Sequence, residues 1–342
     1  MAIPDPVAFT EFGLSSPPNL ETWKRIFPES EWATWPPKAD SVAVHHNPGY
    51  NTFHDGLLNF YLKDFTPARD LPSAIKGSQL AHSLANSSLI DGMRARKPAT
   101  TATFAYRLTE NYPGTSFALI DLYGVPKASL YGLRRAYAPV HAMATFEDWK
   151  SREGRLQVNL SAVNDSPAAV TATLRLTLLN GSWEKLADET QEVTLPTERA
   201  LDLGKKSWTL PEKCERPLFL KMELTAGGKL IDRNIYFFDF ADRPGCLFDR
   251  PATRLEAELR RDGAGWAVRV RNAGDRPAAG VELSTGEASN TWYPEDSGFW
   301  LEPNEERLLQ LHRTPAADGA DRELTTLTVG AWNAPALNLT PR

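Results

Sequence analysis

Ala8-Phe9-Thr10-Glu11-Phe12-Gly13-Leu14-Ser15-Ser16-Pro17-Pro18 is the stretch on which the reading of this chain turns. Val7 to Thr10 is a short apolar and β-branched run, which predicts a buried strand. Glu11 follows at once, and Gly13 and Pro17-Pro18 then break the chain. A carboxylate at the end of a buried strand is costly unless it is paired, hydrogen-bonded or put to use. By spacing alone, the same residues also describe an ordinary charged strand end that faces water. The residues further along decide between the two.

Asn19 stands where it would cap a helix with Leu20, Trp23 and Phe27 on one face, and Pro28 ends that helix. Trp32 and Trp35 fall in the loop that follows. Asp40 to Val44 reads as a short extended piece, His45 to Tyr50 as a turn, and Leu57 to Leu62 as helical. A longer helix is expected from Ser73 to Arg96, ended by Lys97-Pro98. Thr100 to Leu108, rich in Thr and aromatics, predicts a second buried strand. A loop to Gly114 and an extended piece from Phe117 to Leu122 follow. A closing helix starts at Pro126, with Leu130, Leu133 and Tyr137 on one side. Strand, helix, strand, helix is the α/β signature.

Beyond Val140 the pattern changes to period two. Leu156, Val158 and Leu160 share one face, as do Val170, Ala172, Leu174, Leu176 and Leu178, and again Leu218, Leu220, Met222 and Leu224. Gly227-Gly228 makes a tight turn between strands. Ala241 to Gly245 is a boundary, after which Leu255, Ala257 and Leu259, then Trp266, Val268 and Val270, then Val281 and Leu283, Leu308 and Leu311, and Leu324 to Val329 resume the alternation. Short alternating strands with turns between them predict β-sandwiches. The expected organisation is α/β plus all-β: residues 1–144 as an α/β portion, 145–240 as one sandwich and 241–342 as a second.

Composition narrows the partners. The 342 residues are 42% hydrophobic and 24% charged, with a formal net charge of -5. No basic stripe appears, which argues against a nucleic-acid partner, and no apolar run is long enough to span a bilayer. Met1 to Asp5 lack the basic and apolar regions of a signal peptide, and the compartment stays open. Cys214 and Cys246 are the two cysteines, too few for a disulfide framework or a cysteine-rich zinc site, though one disulfide is allowed. His45-His46 lacks a third ligand at a metal-binding spacing, so no metal or other cofactor is expected. Ten tryptophans supply material for sugar-stacking surfaces as well as for cores.

Thr10-Glu11-Phe12-Gly13 with Ser15-Ser16-Pro17-Pro18 resembles the nucleophile segment of glycoside hydrolase family 2, where Ser-Glu-Phe/Tyr-Gly ends the seventh strand of a (β/α)8 barrel; here Thr10 replaces the Ser. Thr103-Phe104-Ala105-Tyr106-Arg107-Leu108-Thr109-Glu110-Asn111-Tyr112-Pro113-Gly114 resembles the eighth-strand motif of the family's β-mannosidase-like branch. Its continuation matches Ser116, Asp121, Gly124, Pro126 and Lys127. A barrel-closing motif matches Tyr131, Arg135, Tyr137, Ala138 and Pro139 approximately. Ser297 to Glu305 is similar to a stretch of the family's last immunoglobulin-like domain. The likeness covers nearly the whole chain. It departs from the family at sugar-facing positions: Tyr106 stands for Trp, Arg107 for Gln, Thr109 for Asn, Glu110 for Asp and Tyr112 for Trp.

The resemblance implies the end of a (β/α)8 barrel, strands seven and eight, followed by two immunoglobulin-like sandwiches. It implies a retaining exo-β-glycosidase acting on terminal β-linked sugars, with Glu11 as nucleophile. Tyr106, Arg107 and Glu110 would be sugar-binding, and Trp35 and His46 are further candidates in the early loops. A complete barrel takes roughly 250 residues, so the α/β portion is incomplete. A retaining enzyme needs two carboxyl groups about 5–5.5 Å apart, and the family's Asn-Glu acid/base pair has no match here. Glu110 is the nearest local carboxylate, at a position that serves binding or structure in the family. Three readings stay open: part of a glycosidase with little activity alone, an accessory or remnant protein that binds carbohydrate or a partner chain, and a barrel completed by an N-terminal polypeptide.

Overall fold

The computed structural model describes residues 7–33, 35–38, 41–45 and 62–341. In chain order they form β1 (Ala8–Phe12), α1 (Leu20–Ile26), α2 (Val42–His45), α3 (Leu71–Arg94), β2 (Ala102–Ala105) and α4 (Ala128–Ala136). Then come β3 (Val140–Thr145), β4 (Arg155–Asn164), β5 (Val170–Leu179), β6 (Lys185–Leu195), β7 (Ala200–Thr209), β8 (Leu218–Ala226) and β9 (Lys229–Phe238). The last series is β10 (Leu255–Asp262), β11 (Gly265–Asn272), β12 (Ala278–Ser284), β13 (Trp292–Pro294), β14 (Phe299–Leu301), β15 (Glu306–Arg313), β16 (Leu327–Ala331) and β17 (Ala334–Leu339).

The chain divides into two compact units. Met1–Gly13, Leu84–Tyr106 and Gly132–Cys246 make the first; Leu14–Ser83, Arg107–Tyr131 and Leu247–Arg342 make the second.

In the first unit β1 and β2 are parallel neighbours, a pairing that needs a long crossover, here including α3. Two antiparallel sheets, β3-β4-β7 and β6-β5-β8-β9, form a sandwich. Its core is the alternation read from the sequence: Leu156, Leu174, Leu178, Leu218, Leu220 and Leu224 are buried in one cluster. Burying one such side chain contributes about 1.5–3 kcal/mol. In the second unit β10-β11-β15-β13 and β14-β12-β16-β17 form another sandwich around Trp266, Val268, Val281, Leu309 and Leu327. Gly280, at φ 55°, lies under the Trp332 indole, where a Cβ would stand 2.2 Å from the ring. A smaller cluster of Trp23, Phe27, Trp35, Leu62 and Leu71 packs the α1–α3 segment. Both cysteines are free thiols.

Four local expectations are corrected. The first strand is not buried: Val7 is 67% exposed, and Ala8, Thr10 and Glu11 are exposed too. A parallel strand is normally covered on both faces, whereas β1 has β2 as its one partner among the described residues. The second strand is shorter than Thr100 to Leu108 and half open, with Phe104 56% exposed. Residues 42–45 form a helical turn rather than an extended piece, because the Glu31 carboxylate accepts the Val42 and Ala43 N–H groups at 2.8 and 3.0 Å, which is N-terminal capping from a distance. In β15 the inward residues are Leu309 and Leu311; Leu308, three positions from Leu311, points outward because strand faces repeat every second residue.

Candidate active site

β1 and β2 start in register, Ala8 opposite Ala102 and Phe9 opposite Thr103. The register then slips, so that Phe12 comes opposite Ala105 and the two residues Thr10 and Glu11 face the single residue Phe104. An inserted residue of this kind bends a strand and re-aims its side chains, and such bulges are frequent beside active sites. Backbone bonds close both ends of the pair: Thr101 N–H donates to Val7 C=O at 2.7 Å, and Tyr106 N–H donates to Phe12 C=O at 2.7 Å. The Tyr137 hydroxyl bonds the Thr103 carbonyl at 3.1 Å.

Glu11 thus stands at the carboxyl end of β1, one residue before the bond that fixes Tyr106. Its side chain is exposed, and among the described residues no side chain or backbone group bonds to it. Tyr106 is 43% exposed. The structure brings these two predicted residues to the same end of the pair.

The other predicted residues are placed as follows. Arg107 and Glu110, in the second unit, form an ion pair with each other. Oε1 of Glu110 also accepts the Asn111 N–H at 3.0 Å, and Oε2 is buried without a partner among the described residues. Arg107 lies over the Tyr112 ring at 5.7 Å. Trp35 is 8% exposed, inside the α1–α3 cluster. His46 lies outside the described residues.

The segment after Gly13 is anchored in the second unit by groups the motif reading had only partly singled out. Ser16 and Ser116 exchange backbone bonds at 3.0 and 3.3 Å. The fully buried Lys127 ammonium donates to both of their carbonyls, at 2.8 Å to Ser16 and 3.3 Å to Ser116. Burial pushes this ammonium down to about 8, against the opposing pull of Asp121 and Glu110. Asp121 Oδ1 accepts the N–H groups of Tyr123 and Val125 and so shapes the turn at Gly124, whose φ of 82° suits glycine. Asn19 precedes α1 but makes no side-chain cap there. It reaches instead to the Pro126 carbonyl at 3.0 Å and accepts from Gln79 at 2.8 Å. Gln79 also holds the Pro17 carbonyl and the Ala128 N–H. His82 Nδ1 meets the Ser16 hydroxyl at 3.0 Å, and burial holds its imidazole neutral, with Lys127 acting in the same direction. Ser78, Gln79, His82 and Asn86 are buried polar residues within α3. Polar residues interrupting an apolar helical stripe were the available signal for buried partners.

The described residues form a parallel strand pair and two β-sandwiches. Residues 156–241 match the family model described as Mannosidase Ig/CBM-like domain. The β-D-mannosidase of Dictyoglomus thermophilum shares the fold with 96% of this chain at a TM-score of 0.74 and 18% identity, over 38% of its own length. The exo-chitosanase CsxA of Amycolatopsis orientalis shares it with 96% of this chain at a TM-score of 0.73 and 19% identity, over 42% of its own length. This chain therefore spans about two fifths of the length of the solved proteins it resembles. No curated protein matches its sequence. The chain resembles the C-terminal portion of a family 2 glycoside hydrolase of β-mannosidase type, in fold as well as in motif.

Proposed function

We propose that this chain is the C-terminal part of a retaining exo-β-glycosidase of β-mannosidase type, with Glu11 as nucleophile and Tyr106 in the floor of the sugar subsite. One observation carries the reading: an exposed carboxylate, unpartnered among the described residues, at a bulged strand end, beside the backbone bond that positions an exposed tyrosine. The Glu11 carboxylate would attack the anomeric carbon as the glycosidic C–O bond breaks. A second carboxyl group would protonate the leaving oxygen, then take a proton from the water that releases the sugar with its configuration retained. That group belongs to polypeptide beyond the matched strands, which would also complete the barrel. Arg107, Glu110, Trp35 and His46 are the further sugar-site candidates. The proposed parts are a barrel end in 1–144 and sandwiches in 145–240 and 241–342.

The test is a mechanism-based 2-deoxy-2-fluoro-β-mannosyl label, applied to this chain together with the N-terminal barrel portion of a β-mannosidase-type enzyme. We expect peptide mass spectrometry to find the label on Glu11, Glu11→Gln to take none, and this chain alone to turn over no aryl β-mannoside. Labelling at another carboxylate, or full activity in Glu11→Gln, overturns the reading. A second reading rests on the Ig/CBM-like match to residues 156–241: an accessory carbohydrate- or partner-binding protein. It predicts saccharide binding that is unchanged in Glu11→Gln.

A further inference from the structure

Asp91 sits in the last turn of α3 and is 1% exposed. This is a poor place for a lone carboxylate, because burial penalises the charge and the helix C-terminus repels it. His141 of β3, also 1% exposed, resolves the conflict. Its Nε2 lies 3.2 Å from Asp91 Oδ1, and its Nδ1 lies 3.1 Å from Asp232 Oδ1 on β9. An ionised carboxylate only accepts, so a ring with a carboxylate oxygen at each nitrogen is satisfied when both nitrogens carry hydrogen.

The surrounding groups agree with that proton count. Asp232 Oδ2 takes the Ala142 N–H at 2.9 Å. The Tyr236 hydroxyl donates to Asp91 Oδ2 at 2.6 Å and accepts from the Ala144 N–H. The Asn234 amide, 3.1 Å from Nε2, has Tyr236 Oη at 2.8 Å and the Ala142 carbonyl at 3.3 Å to take its hydrogens. Burial alone would lower the imidazole's affinity for its proton; Asp232 and Asp91 outweigh it and carry the group up to about 10. One turn on, Arg94 spans the Ala136 and Ala138 carbonyls and Asp165.

We propose that Asp91, His141 and Asp232 form a proton-held latch that fastens the end of α3 to the first sandwich through a doubly protonated imidazole, making His141 a positioning residue for the strand α3 leads into. That strand is β2, which ends just before Tyr106 and pairs with the strand carrying Glu11. The latch does not depend on the proposed glycosidase activity; only its relevance to a sugar site rests on that reading.

The experiment uses the intact chain with 15N-labelled histidine. Ring-nitrogen NMR should show both His141 nitrogens protonated, without titration, from pH 5.5 to 8.5. In Asp91→Asn the midpoint should drop by at least one pH unit. In His141→Gln, hydrogen exchange in residues 84–106 should quicken at least tenfold relative to residues 255–272. A neutral His141 tautomer at pH 7.5, with Asn234 donating to Nε2, overturns the proposal, as does unchanged exchange in a folded His141→Gln. None of these readouts involves turnover, so their failure and the failure of the Glu11 labelling are separable.

Discussion

The strand pair β1–β2 and the sandwich β3–β9 belong to one compact unit and treat apolar side chains in opposite ways. In the sandwich, Leu174, Leu178, Leu218, Leu220 and Met222 are all fully buried. In and beside the pair, Val7, Phe104 and Tyr106 are each more than two fifths exposed. An antiparallel sandwich covers its own inner faces. A parallel pair covers neither of its faces and is at best marginally stable by itself. The sandwich therefore encloses a core of its own, while the pair leaves Val7, Phe104 and Tyr106 in the open. This contrast is why the fold of the sandwiches carries less functional information than the few residues at the open strand ends.

The largest effect that would test the contrast is a cavity in the sandwich. Leu220→Ala should destabilise the intact chain by about 2.7–5 kcal/mol in urea unfolding; a loss under 1 kcal/mol would mean that the core is loosely packed.

A smaller effect comes from the two buried cations. His141 binds its proton more tightly in the folded chain than the ordinary 6.5, so its stabilisation is complete below pH 6.5 and is lost as pH rises through about 10. Lys127 is the reverse: its folded value of about 8 lies below the ordinary 10.5, so between those values the unfolded chain holds more protons and stability rises with pH. The stability difference between the wild type and His141→Gln should accordingly shrink from pH 6.5 to 10. In the His141→Gln background, the Lys127 contribution should appear as a gain between pH 8 and 10.5. Urea midpoints across pH check both, and parallel curves for the two proteins would contradict the His141 assignment.

The smallest effect lies in the open pair. Phe104→Ser should change stability by less than about 0.5 kcal/mol, since little burial is lost, and should reduce self-association at high concentration in sedimentation velocity. A loss of several kcal/mol would show that this side chain is covered after all.

Much of this was legible in the residues themselves. The sandwiches announce themselves because one-sided burial writes period-two alternation into Leu156 to Leu160 and Leu218 to Leu224, and the structure buries those residues. Val7 to Thr10 reads as buried because an apolar run reports what a strand could cover, not what covers it once the chain is folded. The turn at 42–45 is not legible locally because its capping carboxylate, Glu31, lies eleven residues upstream of Val42. Glu11 and Tyr106 came from motif, and their closeness came from strand register. His82 and His141 gave no motif; their roles follow from partners 66 and 91 residues distant, Ser16 and Asp232.

The slip in β1 has a consequence for how such strand ends can vary. Because Thr10 and Glu11 together oppose Phe104, the direction of the acidic group depends on the one extra residue ahead of Phe12. Deleting Thr10 would keep Glu-Phe-Gly intact, leave the glutamate alone opposite Phe104, and remove the bend that re-aims it. Two chains spelling the same tripeptide can thus differ in aim by the length of the run before it.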